Sequence, residues 1–415
     1  MDFRARSLGE ICTRICSGGT PKSNISEYYN NGSIPWLNTK EVSFNRIRST
    51  EKYITEEGLS NSSAKWISKN SVIVAMYGAT AGKSAIAKIP LTTNQACCNL
   101  EVNPKVADYR YVYYWLKNHY EEILSLANGG AQQNLNARQI RSFTINLPLL
   151  ENQKKIALIL DSIDTKIGLN DHINDYLSEL IKTLFRYWFV DFVPFKDEVK
   201  RTSEIGDIPA SMELTPLAEL TVTITKGTTP TTLGHQYVNA GVNFIKGESI
   251  LDDYTFDHSK FAHIDEETNT ALKRSIIQDR DLLFTIAGTL GRFAMAEPGM
   301  LPANTNQAVG IIRVDPVLLA PEVLLSYFIG GWQEDYYARR VQQAVQANLN
   351  LATLKSLPVP VLKDGRRLEY ERQIIPLVNA IEANATESRT LKTLRDTLLP
   401  KLMSGEIDVS GLEIA

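Results

Sequence analysis

Cysteine is scarce in this 415-residue sequence, with four in all: Cys12, Cys16, Cys97 and Cys98. Their spacing fits no zinc pattern and no ligand histidine stands nearby, so free, buried or half-buried thiols are expected rather than a metal site or a disulfide. Only five histidines occur, and they are scattered. No apolar run reaches the roughly 18–20 residues of a membrane span, so no membrane partner is expected. The opening Met1-Asp2-Phe3-Arg4-Ala5-Arg6 has neither an apolar core nor a small-residue cleavage site. A signal peptide is therefore not expected, and a cytoplasmic location is. An excess of one charge is missing too: 44 Lys+Arg face 47 Asp+Glu, a net charge of −3. That balance excludes nucleic-acid binding by bulk attraction, so a DNA ligand would need basic residues gathered on one face, or help from other subunits.

What the chain has in abundance is itself. Gly18-Gly19-Thr20-Pro21 returns as Gly227-Thr228-Thr229-Pro230, and the glycine turn through Gly82-Lys83 returns at Gly291-Arg292. Thr93-Asn94-Gln95-Ala96 returns as Thr305-Asn306-Gln307-Ala308, and Asn134-Leu135-Asn136 as Asn348-Leu349-Asn350. Successive offsets are 209 (18 to 227), 209 (82 to 291), 212 (94 to 306) and 214 (134 to 348), a slow drift of the kind short loop insertions produce. Solenoid units repeat every ~20–50 residues, so this is a duplicated domain. The total length also exceeds what one core supports.

Each copy has two parts. The first mixes short strands with loops: Ser71–Met76 and Asp281–Ile286 read as buried strands running into glycine turns, Leu100–Val102 and Ile311–Val314 as a later strand. Aromatic-rich helical stretches follow, Tyr109–Leu116 and Pro321–Phe328, whose tyrosines and Trp115 read as core. The second part is a long helix. Ile156, Leu160, Ile163, Ile167, Leu177, Ile181 and Leu184 keep the 3–4 alternation of a coiled-coil seam, with Asn170 and Asn174 at intervening seam positions. Ile374, Val378, Ile381, Ala385, Leu391, Leu394, Leu398 and Leu402 repeat the pattern. There Pro376 stands near the expected start and Ser388 breaks the seam. The fold class expected is α+β: two similar globular domains joined by two long antiparallel helices forming a coiled coil. The boundaries read are 1–150 and 214–364 for the domains, 151–190 and 365–404 for the helices, 191–213 for a polar linker and 405–415 for a tail.

The glycine turn tempts as a phosphate-binding loop. Such a loop needs four residues between its glycines, whereas three intervene here and Tyr77 stands where the first glycine belongs. The second copy loses the Lys-Ser pair as well. No adenine-methyltransferase tetrapeptide of the Asn/Asp-Pro-Pro-Tyr/Phe type occurs, nor any dinucleotide fingerprint, so no catalysis is expected on this chain. Asn and Gln can bond adenine edges, and Lys and Arg can grip guanine or phosphate. Two domains reading different sequences should share their frame and phosphate contacts and differ in their base contacts. Base readers are therefore sought among the divergent Asn38, Thr39, Lys40, Arg46, Arg48 and Lys246. The other candidates for DNA contact are Lys22, Lys83, Gln132, Lys226, Arg292 and Gln346.

In Leu8-Gly9-Glu10-Ile11 leading to Ser17-Gly18-Gly19-Thr20-Pro21, in Asn134-Leu135-Asn136, and above all in Leu147-Pro148-Leu149-Leu150-Glu151-Asn152-Gln153-Lys154-Lys155-Ile156, the chain resembles the DNA-specificity subunits of type I restriction-modification systems. Asn152 interrupts the family's Glu-Gln pair. The second copy keeps only Glu371-Arg372-Gln373-Ile374, with Asp364-Gly365-Arg366-Arg367 in place of the proline run. The resemblance implies two target recognition domains, each reading half of a bipartite double-stranded DNA sequence, with the helices as spacer. It also implies two methylation subunits and restriction (translocase and nuclease) subunits as partners. S-adenosylmethionine, ATP and Mg would sit on those partners, with no cofactor on this chain. A coiled-coil scaffold whose twin domains bind proteins stays open beside this reading.

Overall fold

The computed structural model describes residues 2–128, 134–203, 206–288, 290–334 and 351–413. The chain divides into two compact units, one formed by Met1–Ile167 with Arg389–Ala415 and the other by Gly168–Ser388.

In the first unit Val72–Ala75 is buried at every residue, as an unbroken apolar run requires when both faces of a sheet are covered. It is the middle strand of five, in the order Cys12–Ser17, Cys97–Val102, Val72–Ala75, Ser84–Ala87, Asn45–Ile47. All neighbours are antiparallel except Asn45–Ile47, which runs parallel to Ser84–Ala87. A second sheet has the order Lys52–Ile54, Ile34–Leu37, Leu91–Thr93, Trp66–Ile67. Its central pair is parallel, with Trp36 opposite Thr92 and Leu37 opposite Thr93. Arg4–Ser7 closes the unit by pairing with Thr144–Leu147.

The second unit repeats this topology with one strand fewer in each of its two main sheets. Its larger sheet runs Thr221–Lys226, Val309–Val314, Leu282–Thr285, Phe293–Met295, and its smaller one Ala262–Ile264, Val242–Ile245, Ala303–Thr305, the last pair again parallel. Glu213–Pro216 pairs with Pro358–Val361 as the first and last strands do in the other unit. Equivalent strands start 209 (Cys12, Thr221), 210 (Val72, Leu282), 212 (Leu91, Ala303) and 214 (Thr144, Pro358) residues apart, the same drift the motifs show. Helix Tyr109–Asn118 packs its Tyr111, Tyr113, Tyr114 and Trp115 into the core, as Pro321–Ile329 does with Tyr327 and Phe328. These aromatics hold the domains together and are not available for stacking on bases.

The long helices span Leu150–Phe189 and Asp364–Ser404. They run antiparallel within each unit. In the second, Asn170 faces Glu387 and Ser388 while Asn174 faces Ile381 and Asn384; in the first, Asp164 faces Arg395. Asn170 is 1% exposed, and its Nδ2 donates to Glu387 Oε2 at 2.8 Å and to Ser388 Oγ at 3.3 Å. Asn170 of one helix thus meets the seam break Ser388 of the other, while Asn174 meets Asn384. Pro376 lies inside the second helix rather than in its first turn, because that helix begins at Asp364 and runs unbroken past it. An interior proline costs about 3 kcal/mol, and burial of Ile374, Val378 and Ile381 beside it, at about 1.5–3 kcal/mol each, offsets that.

The polar stretch after the first long helix is folded, and the linker reading is corrected. Lys200–Ser203 pairs with Gly206–Pro209, and Phe195, Ile208 and Met212 are buried in the second unit's core with Trp188, Phe189 and Tyr370. Three well-spaced apolar side chains anchor it, too few to mark a local pattern. The tail is likewise docked, with Val409 fully buried beside Leu399, Leu402 and Met403 in the first unit's core. Cys97 and Cys98 are buried while Cys12 and Cys16 are half-buried, all free. Burial pushes the thiols of Cys12 and Cys98 up to about 12, which leaves them unreactive at neutral pH.

Candidate nucleic-acid interface

In each unit the Gly-x-Thr-Pro and Thr-Asn-Gln-Ala motifs come together in one cluster of loops, while Asn348-Leu349-Asn350 lies outside the described residues. Parallel strands end on the same side, so the segments that follow Ile34–Leu37 and Leu91–Thr93 emerge together, tied by the bond from Asn94 N–H to Leu37 C=O at 3.0 Å. The turn leaving Val72–Ala75 joins them through Thr80 Oγ1, which donates to Thr39 C=O at 2.8 Å. Gly18 and Gly19 complete the cluster. Their N–H groups donate to Cys97 C=O (3.3 Å) and Thr93 C=O (2.9 Å), and a Cβ on Gly18 would fall 2.1 Å from the Thr93 carbonyl oxygen. Only glycine permits that approach. Trp36 Nε1 donates to Gly19 C=O at 2.9 Å, and Thr20 Oγ1 donates to Gln95 Oε1.

The second unit builds the same cluster. A Cβ on Gly227 would fall 1.9 Å from Thr305 C=O, Thr228 N–H donates to that carbonyl at 3.2 Å, and Thr229 Oγ1 donates to Gln307 Oε1. Thr305 Oγ1 donates to Ile245 C=O at 2.7 Å, which fixes the start of the Lys246 loop. Asn94 and Asn306 each accept, through Oδ1, the N–H two residues on, at 3.2 and 3.1 Å. These shared amides hold turns, as side chains of this type do.

The divergent positions separate on inspection. Asn38 caps a short helical turn reciprocally with Glu41, so its side chain is committed to the backbone. Thr39 lends its carbonyl to the glycine turn. Lys40 is exposed and pairs with Glu51, whose hydrogen bond and charge raise its pKa. Lys22 and Arg48 are exposed, and Lys83 Nζ reaches Ser43 Oγ at 3.4 Å. In the second unit Lys226 precedes Gly227 on its strand, and Lys246 Nζ lies 4.8 Å from the centre of the Tyr237 ring. Arg292 grips Asp252 through Nε and Nη2, both at 2.7 Å. Gln132 and Gln346 lie outside the described residues.

Arg46 does not belong to this face. Its guanidinium points into the first unit, bonding Asp161 Oδ1 at 2.7 Å and Tyr114 Oη at 2.9 Å, with Asp164 at 3.5 Å and the Tyr113 ring 4.4 Å away. Its side chain is only 15% exposed. Carboxylates on the first long helix capture it, so the base-reading role expected for Arg46 is withdrawn. In exchange the structure adds Lys273 and Arg274, both exposed, the latter donating to Thr228 Oγ1 at 3.4 Å. Adjacent basic residues in a polar stretch were the only sequence signal, and nothing local tied them to the glycine loop.

The cluster offers cations, hydroxyls and amides, a donor-rich set suited to phosphate and base edges. Among the described residues no group of three or more His, Cys, Asp or Glu side chains is placed to hold a metal ion. No helix among them is long and apolar enough to cross a membrane.

Comparison with known proteins agrees with this arrangement. The model of the type I restriction modification DNA specificity domain matches residues 1–179. The type I restriction enzyme MjaIX specificity subunit of Methanocaldococcus jannaschii is 25% identical over 422 aligned residues, covering 99% of this chain and 94% of that one. The EcoR124I/EcoR124II specificity subunit of Escherichia coli is 34% identical over 165 residues, 39% of this chain and 40% of its own. The crystal structure of a type I restriction-modification S subunit from M. genitalium shares the fold, with a TM-score of 0.58 at 16% identity over 97% of this chain and 96% of that one. Residues 1–179 thus match the type I restriction modification DNA specificity domain, and the chain as a whole is similar in sequence and fold to the specificity subunits of type I restriction-modification systems.

Proposed function

We propose that each unit reads one half of a bipartite double-stranded DNA target, that the paired long helices set the gap between the halves, and that the chain recruits methylation and restriction subunits. The observation that carries this reading is the duplication of one loop cluster on one topology, with the frame shared and the exposed polar residues different. Two such clusters need two related but unequal ligands, which is what a split, asymmetric DNA sequence supplies. No catalytic role is assigned to this chain. S-adenosylmethionine, ATP and Mg are assigned to the partners.

Mapping methylated adenines in the host genome with and without this gene is the direct test. A split motif that disappears with the gene supports the reading, and an unchanged methylome refutes it. Exchanging residues 1–150 for the equivalent domain of a relative should alter one half of that motif and leave the other intact. Deleting one heptad from both long helices removes about 10 Å of rise, roughly three base pairs, and should shorten the tolerated gap. An unchanged gap would sink the spacer role.

A further inference from the structure

Most of the repeated Thr-Asn-Gln-Ala motif is accounted for by the frame. Thr93, Asn94 and Ala96 are buried, as is Thr305, and their backbone and side-chain groups hold the glycine loop and the parallel strands. Gln95 and Gln307 are not accounted for. Both are exposed, and neither packs into a core. Each has one partner, the hydroxyl of a threonine on the neighbouring glycine loop, Thr20 or Thr229. Among the described residues the amide nitrogen of each has no partner. A frame has no need of an exposed glutamine, yet the chain places one at the same spot twice, on loops tied by hydrogen bonds to the glycine segment.

We propose that Gln95 and Gln307 are DNA-backbone contacts, each donating from Nε2 to a phosphate oxygen at equivalent places in the two half-sites. This rests on the reading of the chain as a two-domain DNA reader. Two observations select phosphate over base. The pair is common to two domains whose surrounding polar residues differ, so it serves something both half-sites share. Each threonine hydroxyl also occupies a lone pair of Oε1 and holds the carboxamide to its loop, leaving the NH2 group as the free function. A bidentate bond to adenine needs the same amide to accept from N6–H as well as donate to N7. Phosphate oxygens only accept, occur at every step, and fix register without carrying sequence. Gln95 and Gln307 would in this way seat both domains alike, leaving the divergent loops to read the bases.

The test uses the full chain with its methylation partners and duplexes carrying the motif found by methylome mapping. Gln95→Ala and Gln307→Ala should each weaken binding roughly 3- to 10-fold, the equivalent of one lost hydrogen bond, and equally for the cognate site and every single-base variant. A neutral methylphosphonate at one position in the first half-site should cost the wild type the same factor and cost Gln95→Ala nothing more. Gln307→Ala should show this coupling in the second half-site only. Unequal losses among base variants would make these residues base readers and overturn the proposal. Unchanged affinity, or coupling to no phosphate, would overturn it too. Wild-type protein that binds no split motif would instead refute the two-domain reading on which the proposal stands. Both side chains are exposed, so unchanged thermal unfolding is expected of the variants.

Discussion

Replacing Arg46 by methionine should unsettle the first unit far more than a surface arginine would. The guanidinium bonds Asp161 and Tyr114 at 2.7 and 2.9 Å and lies 3.5 Å from Asp164. All three ionised side chains are 13–19% exposed, so water compensates little for their loss. Breaking a buried pair by removing one partner costs about 3–5 kcal/mol. Two features lower that here. Asp164 keeps Arg395 at 2.8 Å and Tyr114 Oη at 2.7 Å, while Asp161 keeps Arg110 only at 3.8 Å. The uncompensated charge is thus mainly Asp161, and the expected loss is about 2–4 kcal/mol. Native-state hydrogen exchange at Val72–Ala75 and Ser84–Ala87 reports this unit's opening free energy residue by residue. A second substitution, Asp161→Asn, should return part of the loss, because it removes the stranded charge. A loss below about 1 kcal/mol, or an Arg46→Met, Asp161→Asn pair that is merely additive, would refute the buried-network argument. Base preference should be unchanged in the single variant, since Arg46 faces the helix and not the loop cluster.

Asn170→Asp places a carboxylate against Glu387 and should destabilise the second unit at neutral pH, with recovery as pH falls through the carboxylate range. Denaturant titrations at pH 7 and pH 4 check the sign. Lys117 has its pKa lowered to about 8, chiefly by burial. Between pH 8 and the ordinary value of 10.5 the folded chain therefore binds fewer protons than the unfolded one, and stability should rise with pH across that window. Lys117→Met should flatten the rise and add about 2 kcal/mol at pH 7, measured by chemical denaturation at stepped pH. Gly18→Ala and Gly227→Ala should each cost more than about 2 kcal/mol, because the new Cβ meets a backbone oxygen that cannot swing away. Thermal melts together with half-site binding would show each effect confined to one unit.

Much of this architecture is legible before any coordinates. Val72–Ala75 and Leu282–Thr285 are apolar runs bounded by turn residues, and they fold as such. The helix seams declare themselves by spacing, and Asn170, Asn174 and Ser388 declare themselves as exceptions, of which Asn170 and Ser388 then meet while Asn174 finds Asn384. The site was legible in part. Comparing the two copies separates frame from variable surface, and Asn94 and Asn306 behave as frame. It does not reveal that Asn38 is spent on a cap, that Arg46 is largely buried, or that Gln95 and Gln307 remain exposed beside buried Thr93 and Thr305.

The sequence alone determined the duplication, the strand and helix types and the polar interruption of the helix seam, because these follow from local spacing, glycine geometry and hydrophobic periodicity. Tertiary structure alone decided which polar residues are free to meet DNA. Arg46 finds Asp161 across 115 residues, and Asp164 finds Arg395 across 231. A charge is silenced or left available by partners that no local pattern brings together, and Phe195, Ile208 and Met212 of the polar stretch become core only because the second unit offers Trp188 and Tyr370 to cover them.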